Sequence, residues 1–368
     1  MNLKTHKRIV IKIGSALIAP GNKGCSTKYL RNIAYFIQRC RQQGQQVILV
    51  SSGSVAAGRQ WFNSEKSPSK AMKKAMAATG QNDMMATWSK LLDMPLAQIL
   101  LTHADLCNRE RYVSIKETIE ELLAHDVLPV INENDTVTSE ELKVGDNDNL
   151  AAMAAASIDA DMLIMCTDVD GLFDKNPHSH ADAKLLEKVS DITPAIYAMA
   201  GGAVSSMGTG GMQTKIEAAE KSTAHGIDTL IINGFKVESF NQLLAGNNPG
   251  THFLSNPEPM SPAVHWRTHT VRERGEVIID DEEYAFTGDE EILTSDNILE
   301  VKGEFSVGDT ILVTTEDGTK IAKAKTNFSS CLLNYIAQEQ DDKWSNKQVL
   351  PQNNSIISKE NIAVLGDA

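Results

Sequence analysis

The stretch Arg8-Ile9-Val10-Ile11-Lys12-Ile13-Gly14-Ser15 decides the reading of the fold. Its β-branched residues favour extended backbone, and apolar residues at successive positions suit a strand covered on both faces. Lys4, Lys7 and Arg8 ahead of an apolar run also imitate the front of a secretory signal. Lys12 and Gly14 interrupt the run too early for that, so the segment reads as a first strand that ends in a small-residue loop.

Similar short runs recur at residues 46–51, 97–102, 127–132, 162–167 and 229–233. Between most of them lie stretches of helical period, such as Leu30, Ile33, Ala34, Ile37 and Cys40. Alternation of this kind defines an α/β protein with an open, mostly parallel sheet and helices on both faces. Ile13 leads into Gly14-Ser15, Val50 into Ser51-Ser52-Gly53-Ser54, and Thr167 into Asp168. Ligands of such sheets bind at the carboxyl ends of strands, so these loops should share one crevice. Past residue 247 the pattern changes: Pro249, Pro257, Pro259 and Pro262 crowd a segment with little periodicity. Strand-like runs at 276–280, 298–301 and 310–313 then predict a small β-rich domain. The expected division is a first domain over 1–252, a linker over 253–274, a β-rich domain over 275–352 and a polar tail over 353–368.

A chain of 368 residues exceeds what one core usually serves, which agrees with two domains. The net charge of −13 argues against nucleic-acid binding, and the acid is concentrated: from Gly275 to Gln340, fifteen Asp and Glu face four Lys. Five scattered cysteines with no Cys-x-x-Cys pair suggest a reducing compartment and no zinc site. No apolar run approaches the roughly 20 residues that span a bilayer, so a cytoplasmic location is expected. His265 and His269, and likewise His178 and His180, read as surface histidines, and the thirteen methionines as core filler.

Neither common nucleotide fingerprint, Gly-x-x-x-x-Gly-Lys-Ser/Thr or Gly-x-Gly-x-x-Gly after a strand, is present. A distributed set of residues takes their place. Gly208-Thr209-Gly210-Gly211-Met212-Gln213-Thr214-Lys215 opens a helix-like segment, where backbone N–H groups and one ammonium suit a phosphate. The plainer reading is a flexible turn with a solvated lysine. Lys12 in a buried strand is costly unless it faces a ligand or a carboxylate; the alternative is an edge-strand or snorkelling lysine. Asn132-Glu133-Asn134-Asp135 and Lys143-Val144-Gly145-Asp146-Asn147-Asp148-Asn149 gather acids and amides ahead of an alanine-rich helix. A helix cap needs only one such residue. The density suits an amino-acid head group, with carboxylates for an ammonium and amides and a helix N-terminus for a carboxylate. Asp148 is alternatively the holder of two lysines.

Together with Lys12-Ile13-Gly14-Ser15 and Ser51 through Gly58, these motifs resemble the amino acid kinase family, in the same order along nearly the whole first domain. Residues 275 to about 350 resemble the PUA domain that many bacterial members append. The resemblance implies a three-layer α/β/α sandwich, the amino acid kinase fold, plus the PUA-like domain. Within the family the pattern is similar to members that transfer the ATP γ-phosphoryl group to the side-chain carboxylate of L-glutamate, opening proline biosynthesis.

On that resemblance Lys12 and Lys215 neutralise the transferring group with help from the Gly14 and Gly53 N–H groups, and Asp148 orients both lysines. Ser52, Asp135 and Asn147 match glutamate-binding positions. Lys12, Gly14, Thr167, Asp168 and Thr209, Gly210, Gly211, Met212, Gln213, Thr214 and Lys215 match ATP-binding ones. Mg2+ is expected to bridge ATP oxygens, with no protein ligand assigned. Proline is expected as feedback inhibitor and a homodimer or homotetramer as the assembly. The rivals are an aspartate or N-acetylglutamate kinase, an RNA-binding protein and a catalytically silent amino-acid sensor. The acids at 132–135 oppose an acetylated substrate, the charge opposes RNA, and the two lysines with Asp148 oppose a silent sensor.

Overall fold

A computed structural model of the chain describes residues 3–62, 67–138, 146–177, 179–200, 211–280, 298–339 and 356–365. The chain forms two compact units, Met1–Met260 and Ser261–Ala368.

In the first unit the strands are β1 (Arg8–Ile13), β2 (Gln46–Ser51), β3 (Leu96–Leu101), β4 (Leu128–Glu133), β5 (Met162–Thr167), β6 (Lys188–Val189), β7 (Asp228–Asn233) and β8 (Thr251–Phe253). They lie in one sheet in the order β3-β4-β2-β1-β5-β7-β8-β6. Neighbours run parallel except β7 and β8. The six runs read from sequence all form strands of this sheet. β6 and β8, two and three residues long, are too short to stand out by pattern.

Side chains alternate across each strand, and β1 shows what each face meets. Ile9, Ile11 and Ile13 join one core with Leu30, Ile33, Phe36, Ile37 and Cys40 of the helix Thr27–Gln42, whose start Ser26 caps. Full burial of each isoleucine contributes about 1.5–3 kcal/mol. Lys12 belongs to the opposite set, on the side of the helix Asn147–Ser157, which packs against β1, β2, β4 and β5. That helix is buried from Asp148 through Ser157, and its run of alanines lets it lie close to the sheet. The helix Met212–Ala224 packs beside it and against β7. The result is the expected layered sandwich. β1 lies between β2 and β5, with Lys12 opposite Val50 and Met165, so its carboxyl end opens at the middle of the sheet.

The second unit holds β9 (Gly275–Ile279), β10 (Ile298–Gly303), β11 (Thr310–Thr315), β12 (Lys320–Thr326) and β13 (Ile357–Val364), in the order β10-β9-β11-β12-β13. Val277, Ile279, Ile311, Val313 and Leu333 centre its core. This matches the β-rich domain expected from the sequence. Two local readings differ. Residues 357–364, within the stretch read as a polar tail, pair with β12, because Ile357 and Ala363 bury apolar side chains among polar neighbours. Residues 262–270, read as part of the linker, form a short helix, Pro262–His265, that widens into the π-type turn Trp266–Thr270. His265 is 2% exposed, with its ring 4.8 Å from that of His269, which corrects the expectation that both are surface histidines. His178 lies outside the described residues, and His180 is exposed.

Candidate active site

Asp148 lies in the first turn of the helix Asn147–Ser157, and its carboxylate is fully buried. Lys12 Nζ meets its Oδ1 at 2.5 Å and Lys215 Nζ its Oδ2 at 3.1 Å. Thr214 Oγ1 also donates to Oδ2 at 3.1 Å. Burial alone would push this carboxyl up, but the Lys12 and Lys215 charges overrule it and hold it down to about 2. Burial pulls the Lys215 ammonium below its ordinary value, with Asp148 opposing the shift. By formal charge the set carries two cations for one anion. It holds together because each element supplies one member at its end: β1 gives Lys12, and the starts of two helices give Asp148 and Lys215.

Asp146 caps the first of these helices, accepting from the N–H groups of Asp148 and Asn149 at 2.7 and 2.9 Å. This leaves Asn147 free for another task. Its Nδ2 donates to Ser52 Oγ at 2.7 Å and to Asn132 Oδ1 at 3.1 Å. Ser52 is tied in turn to β1, its N–H donating to Ile13 O at 3.0 Å. Asp135 stands close by, accepting from Ser54 Oγ at 2.8 Å. Ser54, Gln81, Gln98, Glu133 and Asp135 line a pocket of about 310 Å³. Ser52 and Asn147 therefore touch directly, and Asp135 reaches the same loop through Ser54.

Between Ser52 and Ser54, Gly53 has φ +98°, a left-handed conformation that glycine adopts without strain. Gly14 differs, with an ordinary φ of −74°. A Cβ there would meet only Cys166 O at 3.6 Å, so the protein itself leaves room for a side chain beside the lysines. Thr167 follows Cys166 at the end of β5, and its hydroxyl donates to the exposed Asp168 at 3.1 Å. Gly211 precedes the helix Met212–Ala224 and gives it no side-chain cap, which leaves N–H groups at that end suited to an anion. Thr209 and Gly210, with residues 143–145, lie outside the described residues.

The sequence reading missed several participants. Gln81 accepts from Asn132 Nδ2 at 2.9 Å, and Asn233 donates to Asp168 O at 3.3 Å and to Asp170 Oδ1 at 2.9 Å. Lys236 pairs with the same Asp170 at 2.6 Å. The signal for Asn233 was its place at the end of a strand. For Gln81, inside a long helix, sequence offered none.

The donor set bears on a metal. Ammonium groups and helix N-termini suit phosphate oxygens, and among the described residues no group of three or more His, Cys, Asp or Glu is arranged to hold an ion. These donors suit the phosphates that would bring a magnesium ion with them, and no protein ligand of that ion is assigned.

Comparison with known proteins agrees with this chemistry. The model of the amino acid kinase family matches residues 7–233, and that of the PUA domain matches residues 275–343. The chain belongs to the amino acid kinase family: it is a kinase with a C-terminal PUA domain. Its relatives include glutamate 5-kinase 1 of Pseudoalteromonas translucida (strain TAC 125), 56% identical over 366 residues and 99% of each chain. The glutamate 5-kinase of Idiomarina loihiensis is 49% identical over the whole of both chains. That of Salinibacter ruber is 44% identical over 90% of each.

Proposed function

We propose that the chain transfers the γ-phosphoryl group of ATP to the side-chain carboxylate of L-glutamate, giving L-glutamyl 5-phosphate and ADP. This is the first step of proline biosynthesis from glutamate. The observation that supports the reading is the buried Lys12–Asp148–Lys215 bridge, whose excess positive charge lies beside Gly211 and next in sequence to Asn147, the partner of Ser52.

A carboxylate oxygen of glutamate attacks the γ-phosphorus. The new O–P bond forms as the bond to the β–γ bridging oxygen breaks, and that electron pair leaves with ADP. The acceptor is already ionised at neutral pH, so no general base is needed. Positioning and charge stabilisation supply the acceleration. Lys12 and Lys215 neutralise the oxygens of the transferring group, and Asp148 keeps the two ammonium groups from repelling each other apart. Gly14 and Gly53 offer N–H groups on the nearer side. Thr167, Asp168 and residues 209–215 hold the nucleotide, and Asp135, Asn147 and Ser52 hold glutamate. Magnesium, bound with ATP, neutralises charge on its phosphate oxygens.

Proline, which shares the α-ammonium and α-carboxylate, inhibits from an overlapping site. The working form is a cytoplasmic homodimer or homotetramer. Among the described residues no helix is long and apolar enough to cross a membrane.

An ATP-dependent hydroxamate assay over a panel of free amino acids tests the reading, because hydroxylamine traps acyl phosphates. Product with L-glutamate, and little with L-aspartate or N-acetyl-L-glutamate, is the expected result. A preference for either alternative would replace the assignment.

A further inference from the structure

Four side-chain amides, Gln98, Gln81, Asn132 and Asn147, and the hydroxyl of Ser52 form a continuous line from the edge strand β3 to the loop after β2. An amide donates from one arm and accepts on the other, so fixing one member fixes the next. Gln81 donates from Nε2 to Gln98 Oε1 at 3.4 Å and accepts at Oε1 from Asn132 Nδ2 at 2.9 Å. Asn132 thereby presents its oxygen to Asn147, whose Nδ2 donates to it at 3.1 Å and to Ser52 Oγ at 2.7 Å.

Two consequences reach the site. Asn147 Oδ1, a buried oxygen, has no hydrogen-bond partner among the described residues and remains an acceptor. Ser52, whose oxygen receives Asn147, keeps its own proton to donate. Gln81 is 6% exposed, and its oxygen and nitrogen are both engaged by the line.

We infer that Gln81 is a positioning residue for the acceptor amino acid. It sets the direction of the amide line, so that Asn147 Oδ1 meets the α-ammonium and the Ser52 hydroxyl meets a carboxylate oxygen. The inference rests on the proposed glutamate kinase activity and adds a selection rule to it. Glutarate has the same reacting carboxylate but no ammonium, so it leaves Asn147 Oδ1 buried and unpaired, and sites built for a polar group reject analogues that lack it.

The test compares the full-length protein with Gln81→Glu and Gln81→Met, using L-glutamate and glutarate in the hydroxamate assay. Glu keeps an acceptor for Asn132 Nδ2, and Met keeps only the length. In Gln81→Met the glutamate KM should rise about tenfold, the ATP KM should stay within about twofold, and the kcat/KM preference for glutamate over glutarate should fall about tenfold or more. Gln81→Glu should keep that preference within about threefold. An undiminished preference in Gln81→Met, even with slower turnover, overturns the inference, as does a Gln81→Glu enzyme as indiscriminate as Gln81→Met. Hydrogen exchange of the Asn147 side-chain amide in 15N-labelled protein is read in parallel and needs no activity. Protection in the wild type and Gln81→Glu but not in Gln81→Met supports the amide line, and equal exchange in all three rejects it. A wild-type enzyme inactive on glutamate would defeat the functional reading while leaving the exchange result to decide the line.

Discussion

Gly58 and Gly80 put two helix backbones in contact: a Cβ on Gly80 would lie 1.9 Å from Ser54 O, and one on Gly58 would lie 1.9 Å from Met76 O. The helices Ser54–Gly58 and Lys70–Leu91 cross at this point, and Gln81 follows directly. Gly80→Ala should therefore lower the thermal midpoint, since overpacking typically costs about 1–3 kcal/mol. It should also raise the glutamate KM by displacing Gln81. Calorimetry and steady-state kinetics check both, and an unchanged midpoint would mean that the helices separate without cost.

Gly14→Ala makes the opposite case. The backbone there is unstrained and the added methyl meets only an ordinary contact, so the midpoint should hold within about 0.5 kcal/mol of wild-type stability. If a phosphate lies against this residue, the methyl intrudes on it, and kcat/KM for ATP should fall at least about tenfold. A fully active variant would move the nucleotide away from Gly14.

Lys12→Ala and Lys215→Ala should each lower kcat about a hundred- to a thousandfold, the usual cost of about 2.7–4 kcal/mol for losing one donor at the developing charge. The glutamate KM should change far less, because the charge develops mainly in the transition state. Single-turnover kinetics would expose a merely slower product release.

The Asp148 carboxyl is held at about 2 in the folded chain against an ordinary 3.8. Its contribution to stability is complete above about pH 4 and is lost as pH falls through about 2, because the unfolded state takes up the proton first. Asp148→Asn leaves two buried ammonium groups without their partner, and breaking a buried pair costs about 3–5 kcal/mol. The stability gap between wild type and Asp148→Asn should thus narrow as pH drops from 4 to 2. A gap independent of pH would place the stabilisation elsewhere.

Asp135→Asn should raise the glutamate KM strongly while leaving the ATP KM nearly alone, since a charged partner outweighs a neutral one in a partly desolvated pocket. Proline inhibition should weaken in the same variant. A raised KM with proline sensitivity intact would retain the pocket and discard the shared site.

How much of this was legible in the sequence depended on the range of each signal. The strand from Arg8 to Ile13 could be read because four apolar residues had no other use, and Lys12 stood out by being charged among them. Asp148 and Lys215 were legible as members of dense motifs, although only the fold brings residues so far apart to one carboxylate. Gln81 and Gln98 were not legible: a glutamine in a long helix or at a sheet edge looks like ordinary surface until its partner across the fold is known. Gly58 and Gly80 failed for the same reason, since close approach belongs to a pair of elements. His265 was misread because the proline-rich composition around it suggested an open linker, whereas the chain there folds into a short helix that buries the ring.

The Lys12, Asp148 and Lys215 set has a bearing on the life of the protein as well as on its reaction. Three charges that sum to plus one, held almost out of reach of water, form a group that an anion completes. A polyphosphate entering there would be the fourth member of the set, and its binding would favour the native state over every unfolded one. Nucleotide supply would in this way govern how long the molecule survives heat and proteolysis.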